Sequence, residues 1–506
     1  MRPPVFFLAS VIASAGCGAG EGTTPNETSS GTPSTPAPAA APALPPRDAQ
    51  EWPVDFHIAG SPSFERVVLI TIDTLRRDHV SAYGYFRPTT PFFDRSAAGG
   101  VLFDNAISPV SHTAPSHASM LTGLPPDEHG VLQNGGKLPA NARDLARVFR
   151  GAGFETAAFV AAKFLRGGLC SSFDVKGVAQ PEGSTVVDAA LKWLGEWRTK
   201  ERFFLWVHLY DPHLWRLEKD LPQEEWQIVR SWGEPEEELL EHWAKLHGLR
   251  SAGPDPFEFR WHAGEEEGER YDTKGADEYV SLIDAYDAQI LHADRQVERL
   301  VKAFDAAELC EKTLFVVTSD HGEGLGSHEL AGHGGRIYQE QLRVPLVVFA
   351  GDGSIPARHV EEIVQLQDLF PTLAEAAGTE VIGLDPLLHG ASLWPLLRGE
   401  SGWRERPVFS QRRFGPESPE VLFSVQTRRF KYLSEVGVKD EFFRLDQDPL
   451  EQSNAVGEPS PERDELRRLL EARIDLRNRR ADRGRAETLP EDVLEELKRF
   501  GYVGEE

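Results

Sequence analysis

Five runs of apolar, mainly β-branched residues lie in the body of the chain, and none of them alternates regularly with polar residues. Segments with the helical spacing of apolar residues separate most of these runs. A strand that is apolar on both sides has to be buried on both faces. The pattern therefore predicts a mostly parallel sheet that is covered by helices on its two sides. The predicted strands are Arg66–Ile72, 156–160, 202–209, Thr313–Ser319 and 344–350.

Helices are predicted at 141–151, 279–304, 360–377 and 463–479. From about residue 404 the chain changes to short runs of strand type that are followed by helical segments, which predicts a small antiparallel sheet. The predicted fold class is therefore an α/β sandwich with a mostly parallel central sheet, to which a small C-terminal antiparallel sheet subdomain is added.

The N-terminus, MRPPVFFLASVIASAGCGAG, has a basic residue, a short apolar stretch and small residues before Cys17. This pattern predicts a signal peptide at 1–17 of the lipoprotein type, with Cys17 lipidated after cleavage. An ordinary secretory signal is the alternative. Residues 18–60 are rich in Pro, Ala, Ser and Thr and predict a disordered tether. We therefore expect an exported protein, periplasmic or on the cell surface, that contacts the membrane only through a lipid anchor.

The charge balance limits the possible partners. The chain has 54 Lys and Arg against 80 Asp and Glu, a net charge of −26, and no basic block offsets it. Such a field repels nucleic acids and anionic membrane surfaces, so neither is an expected partner. A small anionic substrate remains possible where a metal ion and local cations reverse the field. Cys170 and Cys310 leave the question of one disulfide open.

Polar residues stand where several of the predicted strands end. Asp73 follows the first strand, His208 and His213 lie at and beyond the end of the third, and Asp320 and His321 follow the fourth. A single Asp after a strand is commonly a helix cap. Several such residues at one edge of a parallel sheet instead provide an oxygen and nitrogen set suited to a divalent cation.

Four stretches carry a family resemblance: VVLITIDTLRRDHVSAYGY, HTAPSHASMLTG, VTSDHGEGLGSH and GHGGRIYQEQLRVPLVVF. They resemble the sulfatases of the alkaline phosphatase superfamily, and the similarity runs in order from about Arg66 to Gly504. The resemblance implies an alkaline-phosphatase-like sandwich with a metal-centred site at the strand ends. It also implies a catalytic domain at 61–402 and a C-terminal subdomain at 403–506.

The resemblance assigns roles residue by residue. Thr74 stands where many sulfatases have a second metal-binding Asp, so one ligand charge is missing. The implied metal ligands are Asp73, Thr113, Asp320 and His321. The implied catalytic residues are Thr113, His117, Lys163, His213 and His333. The implied substrate-binding residues are His112, His208 and His328.

The nucleophile position departs from the family pattern. Formylglycine sulfatases carry Cys or Ser, any residue, Pro, any residue and Arg, whereas this chain has Thr113 at the first of these positions and His117 at the last. Formylglycine is an aldehyde, and oxidation of a threonine side chain gives only a ketone, so no formylglycine is expected. A threonine hydroxyl beside one divalent metal can act as the nucleophile instead. A ligand set of two Asp, one His and a hydroxyl favours Zn or Mn over Ca or Mg.

A Trp-rich, acidic stretch at 214–277 interrupts the family pattern. It is interpreted as an insertion, and two arrangements remain open: a partial lid over the site, or an outlying helical layer that packs its tryptophans inward.

The predicted function is a metal-dependent hydrolase of sulfate or phosphate esters that uses Thr113. Its partner would be a small anionic ester, either free or part of a glycan or lipid. One alternative is a phosphodiesterase or a transferase that moves a phospho-group to an envelope glycan or lipid. The other is a sulfatase-like binding protein that has lost catalysis.

Overall fold

The computed structural model describes residues 52–61, 63–178, 180, 182–196, 201–215, 221–233, 236–249, 258–262, 270–274, 276–330, 332–385, 389–401, 403–413, 421–435 and 438–483. The predicted signal peptide with Cys17, most of the predicted linker and residues 484–506 lie outside these ranges. Within them, no helix has both the length and the apolar character that crossing a bilayer requires.

The strands fall into an eight-stranded central sheet, a four-stranded C-terminal sheet and two two-stranded pairs. The central order is β11-β3-β10-β9-β2-β6-β4-β5, and only β10 runs antiparallel to its neighbours. The strands are β1 (Asp55–Ile58), β2 (Arg66–Ile72), β3 (Val101–Ile107), β4 (Glu155–Val160), β5 (Val175–Gly177), β6 (Phe203–Leu209), β7 (Glu258–His262), β8 (Arg270–Lys274), β9 (Thr313–Ser319), β10 (Arg343–Ala350), β11 (Arg358–Gln365), β12 (Thr379–Ile382), β13 (Val408–Arg413), β14 (Val421–Gln426), β15 (Phe430–Glu435) and β16 (Lys439–Arg444).

Helices cover both faces of the central sheet, as the uniformly apolar strands predicted. Successive residues of β2 enter opposite cores: Val67 and Leu69 lie in one, and Val68 and Ile70 lie in the other. The α-helices are α1 (Pro91–Gly99), α2 (Thr113–Thr122), α3 (Pro126–His129), α4 (Leu145–Gly151), α5 (Lys163–Gly168), α6 (Gly183–Glu196), α7 (Gln223–Ser231), α8 (Glu236–Leu246), α9 (Ala276–Ala306), α10 (Gln339–Leu342), α11 (Leu369–Ala376), α12 (Trp394–Arg398) and α13 (Pro461–Arg483).

All five predicted central strands are present, and the structure adds β3, β5 and β11 to the sheet. The predicted helix at 360–377 is wrong in its first half. Residues Arg358–Gln365 form β11, which pairs in parallel with β3, and the helical part begins with a 3-10 turn at Leu366–Asp368 and continues as Leu369–Ala376. The backbone groups of this edge segment are satisfied by a strand that is distant in sequence, which local periodicity does not reveal.

Both faces of the C-terminal sheet are packed against other elements, which accounts for its apolar residues. Phe423 and Val425 face α13, whereas Leu422 packs with Ile107 and Ile363 of the central sheet. Because neighbouring residues of a strand point to opposite faces, one sheet fills two interfaces. The small sheet is thereby held against the region where β3 and β11 end.

The described helices of the 214–277 insertion, α7 and α8, form a layer whose tryptophans point inward, and β7 and β8 form a two-stranded pair in the same stretch. Trp215 and Trp243 are buried in the core on the α9 side of the sheet. Trp226 and Trp232 pack against a smaller cluster that includes Val229 of α7. These contacts support the second of the two arrangements for these helices; the side chain of residue 261 lies outside the described part.

Candidate active site

Two neighbouring strands deliver the acidic centre of the site. β2 ends at Ile72 and is followed by Asp73, and β9, which pairs with β2 in parallel, ends at Ser319 and is followed by Asp320 and His321. One ligand atom from each of these three polar side chains lies within 4.8 Å of the others. All three residues are buried. They form a possible metal site at the predicted edge of the sheet.

The charges of this centre fit a divalent cation. Asp73 Oδ1 and Asp320 Oδ2 are buried and have no hydrogen-bond partner. Burial raises the pKa of Asp73 to about 6, and burial together with the charge of Asp73 raises the pKa of Asp320 to about 7. Burial lowers the pKa of His321 to about 4, so its imidazole is neutral and able to coordinate. Two close, buried carboxylates repel each other when both are ionised, and a bound divalent cation would stabilise that state.

Thr113 is the first residue of α2, and its Oγ1 lies 3.3 Å from Nε2 of His321. The side chain is fully buried. The first amides of this helix do not offer an anion site, because the Ala114 amide donates to Asn134 Oδ1, Pro115 has no amide hydrogen, and the Ser116 amide donates to a main-chain carbonyl.

Thr74 adds a third buried oxygen that lacks a partner. Its backbone has a φ of 57°, a left-handed conformation that β-branched residues rarely adopt. The Tyr286 hydroxyl donates to the Thr74 carbonyl at 2.7 Å, and the Thr74 amide lies 3.3 Å from Asp320 Oδ1. Thr74 Oγ1 is buried without a hydrogen bond. The strained turn is therefore held from both sides, directly beside the acidic centre.

His117 packs against Thr113, and both of its ring nitrogens contact groups of the protein. Its Nδ1 donates to the Thr113 carbonyl at 2.8 Å, and the Thr71 hydroxyl donates to its Nε2 at 3.0 Å. Burial lowers the pKa of His117 to about 3, so the ring is neutral. It therefore does not replace the positive charge of the family arginine, and its contacts make it a positioning residue for Thr113.

His208 also lies behind the site. Its Nε2 donates to Asp73 Oδ2 at 3.2 Å, and burial lowers the pKa of His208 to about 4. Because this nitrogen is directed at Asp73, the structure gives it a contact within the site in place of the expected substrate contact. The ring of His208 instead orients the carboxylate of Asp73, which belongs to the possible metal site.

A half-buried histidine pair lies on the outer side. The ring centroid of His333 is 4.5 Å from that of His321, and the ring of His213 is 5.0 Å from that of His333. His213 also stacks on Tyr210 at 4.2 Å. The structure therefore brings both predicted histidines next to the acidic centre.

Glu323 is a site residue that the sequence reasoning missed. Both of its carboxylate oxygens lie 3.3 Å from His333 Nδ1, and Trp215 Nε1 donates to Oε2 at 3.1 Å. The signal was present in the DHGE run, where Glu323 follows His321 by two residues. This buried carboxylate therefore fixes the Nδ1 side of the His333 ring.

His112 borders the same region, and Lys163 begins α5, three residues after the end of β4. A Cβ on Gly334 would lie 2.5 Å from Cε1 of His112, so the ring needs a glycine there. Burial, and next the charge of Arg412, lower the pKa of His112 well below its usual value, and its Nδ1 is buried without a partner. Lys163 is the exposed first residue of α5, and it makes no hydrogen bond or ion pair with the described residues.

His328 binds within the fold, so the expected substrate contact is wrong. Its Nδ1 lies 3.2 Å from Glu340 Oε1, its Nε2 lies 3.1 Å from the Glu451 carbonyl, and its ring stacks on Tyr338 at 3.8 Å. Burial acts to lower the pKa of His328, but the carboxylates of Glu340 and Glu451 raise it to about 9. The imidazolium thus joins the β9–β10 connection to the loop after β16.

This contact predicts a pH-dependent stability. A histidine whose pKa is higher in the folded state stabilises it fully below about pH 6.5, and this contribution is lost as pH rises through about 9. We expect His328→Asn to lower the free energy of unfolding by about 2 kcal/mol at pH 6 and by much less at pH 9.5. Asn tolerates the left-handed backbone, with φ of 51°, so the change tests the charge.

Denaturant unfolding at pH 6, 7.5 and 9.5 measures this effect. An equal loss of stability for His328→Asn at every pH would show that the imidazolium makes no special contribution. His359, an exposed histidine on β11, supplies a matched His→Asn control for which the stability difference should stay small at each pH.

Two family models match the chain. The sulfatase model matches residues 65–379, which is more than half of the chain, and the model for the C-terminal part of N-sulphoglucosamine sulphohydrolase matches residues 334–480. An arylsulfatase of Clostridium perfringens is 24% identical over 454 residues, which are 80% of this chain and 93% of that protein. A Δ4,5-hexuronate-2-O-sulfatase of Bacteroides thetaiotaomicron is 26% identical over 437 residues, with coverage of 78% and 84%.

The solved structures agree on the fold. A phosphonate monoester hydrolase of Agrobacterium radiobacter aligns with a TM-score of 0.60 at 21% identity and covers 82% of this chain and 96% of its own. A 2-O glycosaminoglycan sulfatase aligns with a TM-score of 0.64 at 21% identity, covering 86% and 96%. Both similarities cover more than four fifths of this chain, and they confirm the predicted alkaline-phosphatase-like sandwich.

Proposed function

The chain belongs to the sulfatase family and is an ester hydrolase, and we propose that it cleaves phosphate or sulfate esters with Thr113 as nucleophile at a divalent metal. One observation carries the proposal: the Thr113 hydroxyl lies 3.3 Å from His321 Nε2, beside two buried carboxylate oxygens that have no partner. Asp73, Asp320, His321 and the Thr113 hydroxyl would hold the metal. When bound, it would lower the pKa of the hydroxyl and neutralise anionic charge.

The chain's own residues supply the rest of the cycle. Thr113 Oγ1, whose proton has passed to solvent water, forms a bond to phosphorus or sulfur while the bond to the leaving oxygen breaks on the opposite side. His213 gives a proton to the departing alkoxide and later takes one from the water that releases the threonyl ester. As the imidazolium, His333 donates from Nδ1 to Glu323 and from Nε2 to an equatorial oxygen of the ester.

The nucleophile favours phosphorus over sulfur. A formylglycine hydrate can expel sulfate by elimination, using its second hydroxyl group. A threonyl ester lacks that group and must wait for water or another acceptor. Hydrolysis of a phosphothreonine is assisted by the histidines and the metal site, whereas attack of water at sulfur gains no comparable help. The sulfatases among the relatives support the other ester, so both classes belong in the test.

Substrate comparison tests the proposal. The purified protein, with its bound metal quantified, is assayed on an aryl sulfate, an aryl phosphate and an aryl phosphodiester. We expect hydrolysis of at least one phosphate ester at about ten times the kcat/KM of the aryl sulfate. Preference for the aryl sulfate would overturn the choice of phosphorus, and a metal-free protein inactive on all three would overturn the proposed function.

We also propose export and anchoring through Cys17, which the N-terminal sequence supports. When the full chain is expressed in a bacterium, Cys17→Ala should move the protein from the membrane fraction to the soluble fraction, because the acyl chains are then absent. Cys170→Ala is the matched control and should leave the distribution unchanged. A membrane-bound Cys17→Ala variant would contradict the anchor.

A further inference from the structure

A groove of about 400 Å³ lies where the C-terminal sheet meets the outer strands of the central sheet. This volume is in the range of small-ligand sites, roughly 300–1,000 Å³. None of the proposed metal ligands or catalytic residues lines it. We call it the arginine groove, and its lining is Asn105, Gln339, Arg343, Ile363, Gln426, Thr427, Arg428, Arg429, Leu445, Asp446 and Pro449.

The lining of the groove is cationic, although the whole chain carries −26. Three of its side chains are arginines and one is a carboxylate. Arg428 pairs with Glu361 at 2.9 Å and Arg429 with Asp446 at 3.0 Å, both at exposed positions. Exposed pairs of this kind contribute about 0–1 kcal/mol each, so both guanidinium groups can exchange their partners for a ligand.

Arg343, at the inner wall, lacks a carboxylate of its own. Its Nε and Nη2 donate to the main-chain carbonyl of Asp104 at 3.1 and 3.0 Å, while the carboxylate of Asp104 lies 3.6 Å from Arg77. Burial, and next the charge of Arg77, lower the pKa of Arg343 to about 10. Arg77 Nε is buried without a hydrogen-bond partner. The guanidinium groups of Arg343 and Arg77 therefore both contact Asp104, the first at its main-chain carbonyl and the second at its carboxylate.

The arginine groove extends toward the loops of the active site. A second cavity of about 100 Å³ shares Gln339, Arg343 and Pro449 with it. Arg77 and Ser327 also line this second cavity, and they belong to the loops that follow β2 and β9. The same loops begin with the residues proposed to hold the metal. Asp78 and Glu340 also line the second cavity, so its walls carry both charges. Through the shared residues, the arginine groove borders the loops that begin with the proposed metal ligands.

We propose that the arginine groove binds the anionic part of a saccharide, and thereby selects glycans that carry several acidic groups. Guanidinium groups form paired hydrogen bonds with sulfate, phosphate or carboxylate. The amides of Asn105, Gln339 and Gln426 can donate to and accept from sugar hydroxyls. The binding site stands on its own, and only its role in selecting a substrate rests on the proposed function.

Equilibrium binding tests the groove. The full chain with Thr113→Ala is titrated with a sulfated dextran hexasaccharide, the unsulfated hexasaccharide and poly-aspartate at constant salt. We expect the combined change Arg428→Ala and Arg429→Ala to raise the Kd of the sulfated saccharide about tenfold. Arg467→Ala with Arg468→Ala removes the same charge from the exposed side of α13 and should leave this Kd unchanged.

The outcomes separate the two proposals. An unchanged Kd in the Arg428 and Arg429 variant, or an equal loss in the control, would overturn the groove as a site. If poly-aspartate binds as tightly as the sulfated saccharide, and through the same arginines, the groove recognises charge alone. That result would overturn the assignment of a saccharide as the ligand. Hydrolysis of the aryl esters is measured separately on the unaltered chain, so an inactive protein that still binds through these arginines overturns only the proposed function.

Discussion

Replacing Thr113 by alanine is expected to lower kcat/KM for ester hydrolysis by about 10³-fold or more. Under the proposed mechanism, the substitution removes the nucleophilic oxygen and one oxygen ligand of the metal. The methyl group of alanine fits the same space, and residue 113 remains the first residue of α2. The loss should fall mainly on kcat, because the hydroxyl acts on the reacting bond rather than on distant parts of the substrate.

Two further variants make this result interpretable. Thr113→Ser keeps a hydroxyl and should retain measurable activity, whereas a formylglycine-like mechanism would have no use for it without oxidation. Thr122→Ala is a matched change at the other end of α2, where the hydroxyl donates to the Ala118 carbonyl, and it should leave kcat/KM within a few-fold. Activity of Thr113→Ala equal to that of Thr122→Ala would overturn the nucleophile assignment.

Asp320→Asn is expected to abolish metal binding and, with it, activity. It should at the same time stabilise the metal-free protein. The pKa of Asp320 is raised to about 7, so ionisation favours the unfolded chain and stability falls as pH rises from about 4 to about 7. Asparagine removes that charge. Its carbonyl oxygen can still accept from the amides of Thr74 and His321, as Oδ1 does now.

Metal content and thermal unfolding, each with and without chelator at pH 8, measure both effects. The chelator should lower the Tm of the unaltered protein and leave the Tm of Asp320→Asn unchanged. The Tm of Asp320→Asn should also be higher than that of the unaltered protein with chelator. Asp294→Asn is the control. Asp294 is also buried with its pKa raised to about 7, but it accepts from the amides of Phe92 and Phe93, and its loss should leave metal content unchanged.

Retention of a full metal equivalent by Asp320→Asn would contradict the site. A metal-free Asp320→Asn that is less stable than the chelated protein would contradict the charge argument, because the carboxylate would then contribute a favourable interaction.

The sequence predicted the parts of the site that depend on strand pattern. A uniformly apolar strand can lie only inside a covered sheet, so the residue after its last apolar position emerges at the edge. This reasoning located Asp73 and Asp320 before their distance was known, and the structure confirms that they meet with His321. The family resemblance added Thr113, and the structure brings its hydroxyl close to His321.

Other predictions failed because they needed contacts between distant segments. His328 follows a family motif, yet its imidazole bonds to Glu340 and to the carbonyl of Glu451, more than a hundred residues away. Glu323 was overlooked because its importance comes from contact with His333. The first half of the helix predicted at 360–377 is a strand because β3 lies beside it.

By itself the sequence determined the covered parallel sheet and the polar strand ends, because each depends on residue type and local spacing. The tertiary structure alone decided which histidines face outward, which are neutral beneath the site, and where arginines gather in an acidic chain. Those properties depend on burial and on neighbours that the fold brings together from distant segments, and no local pattern encodes them.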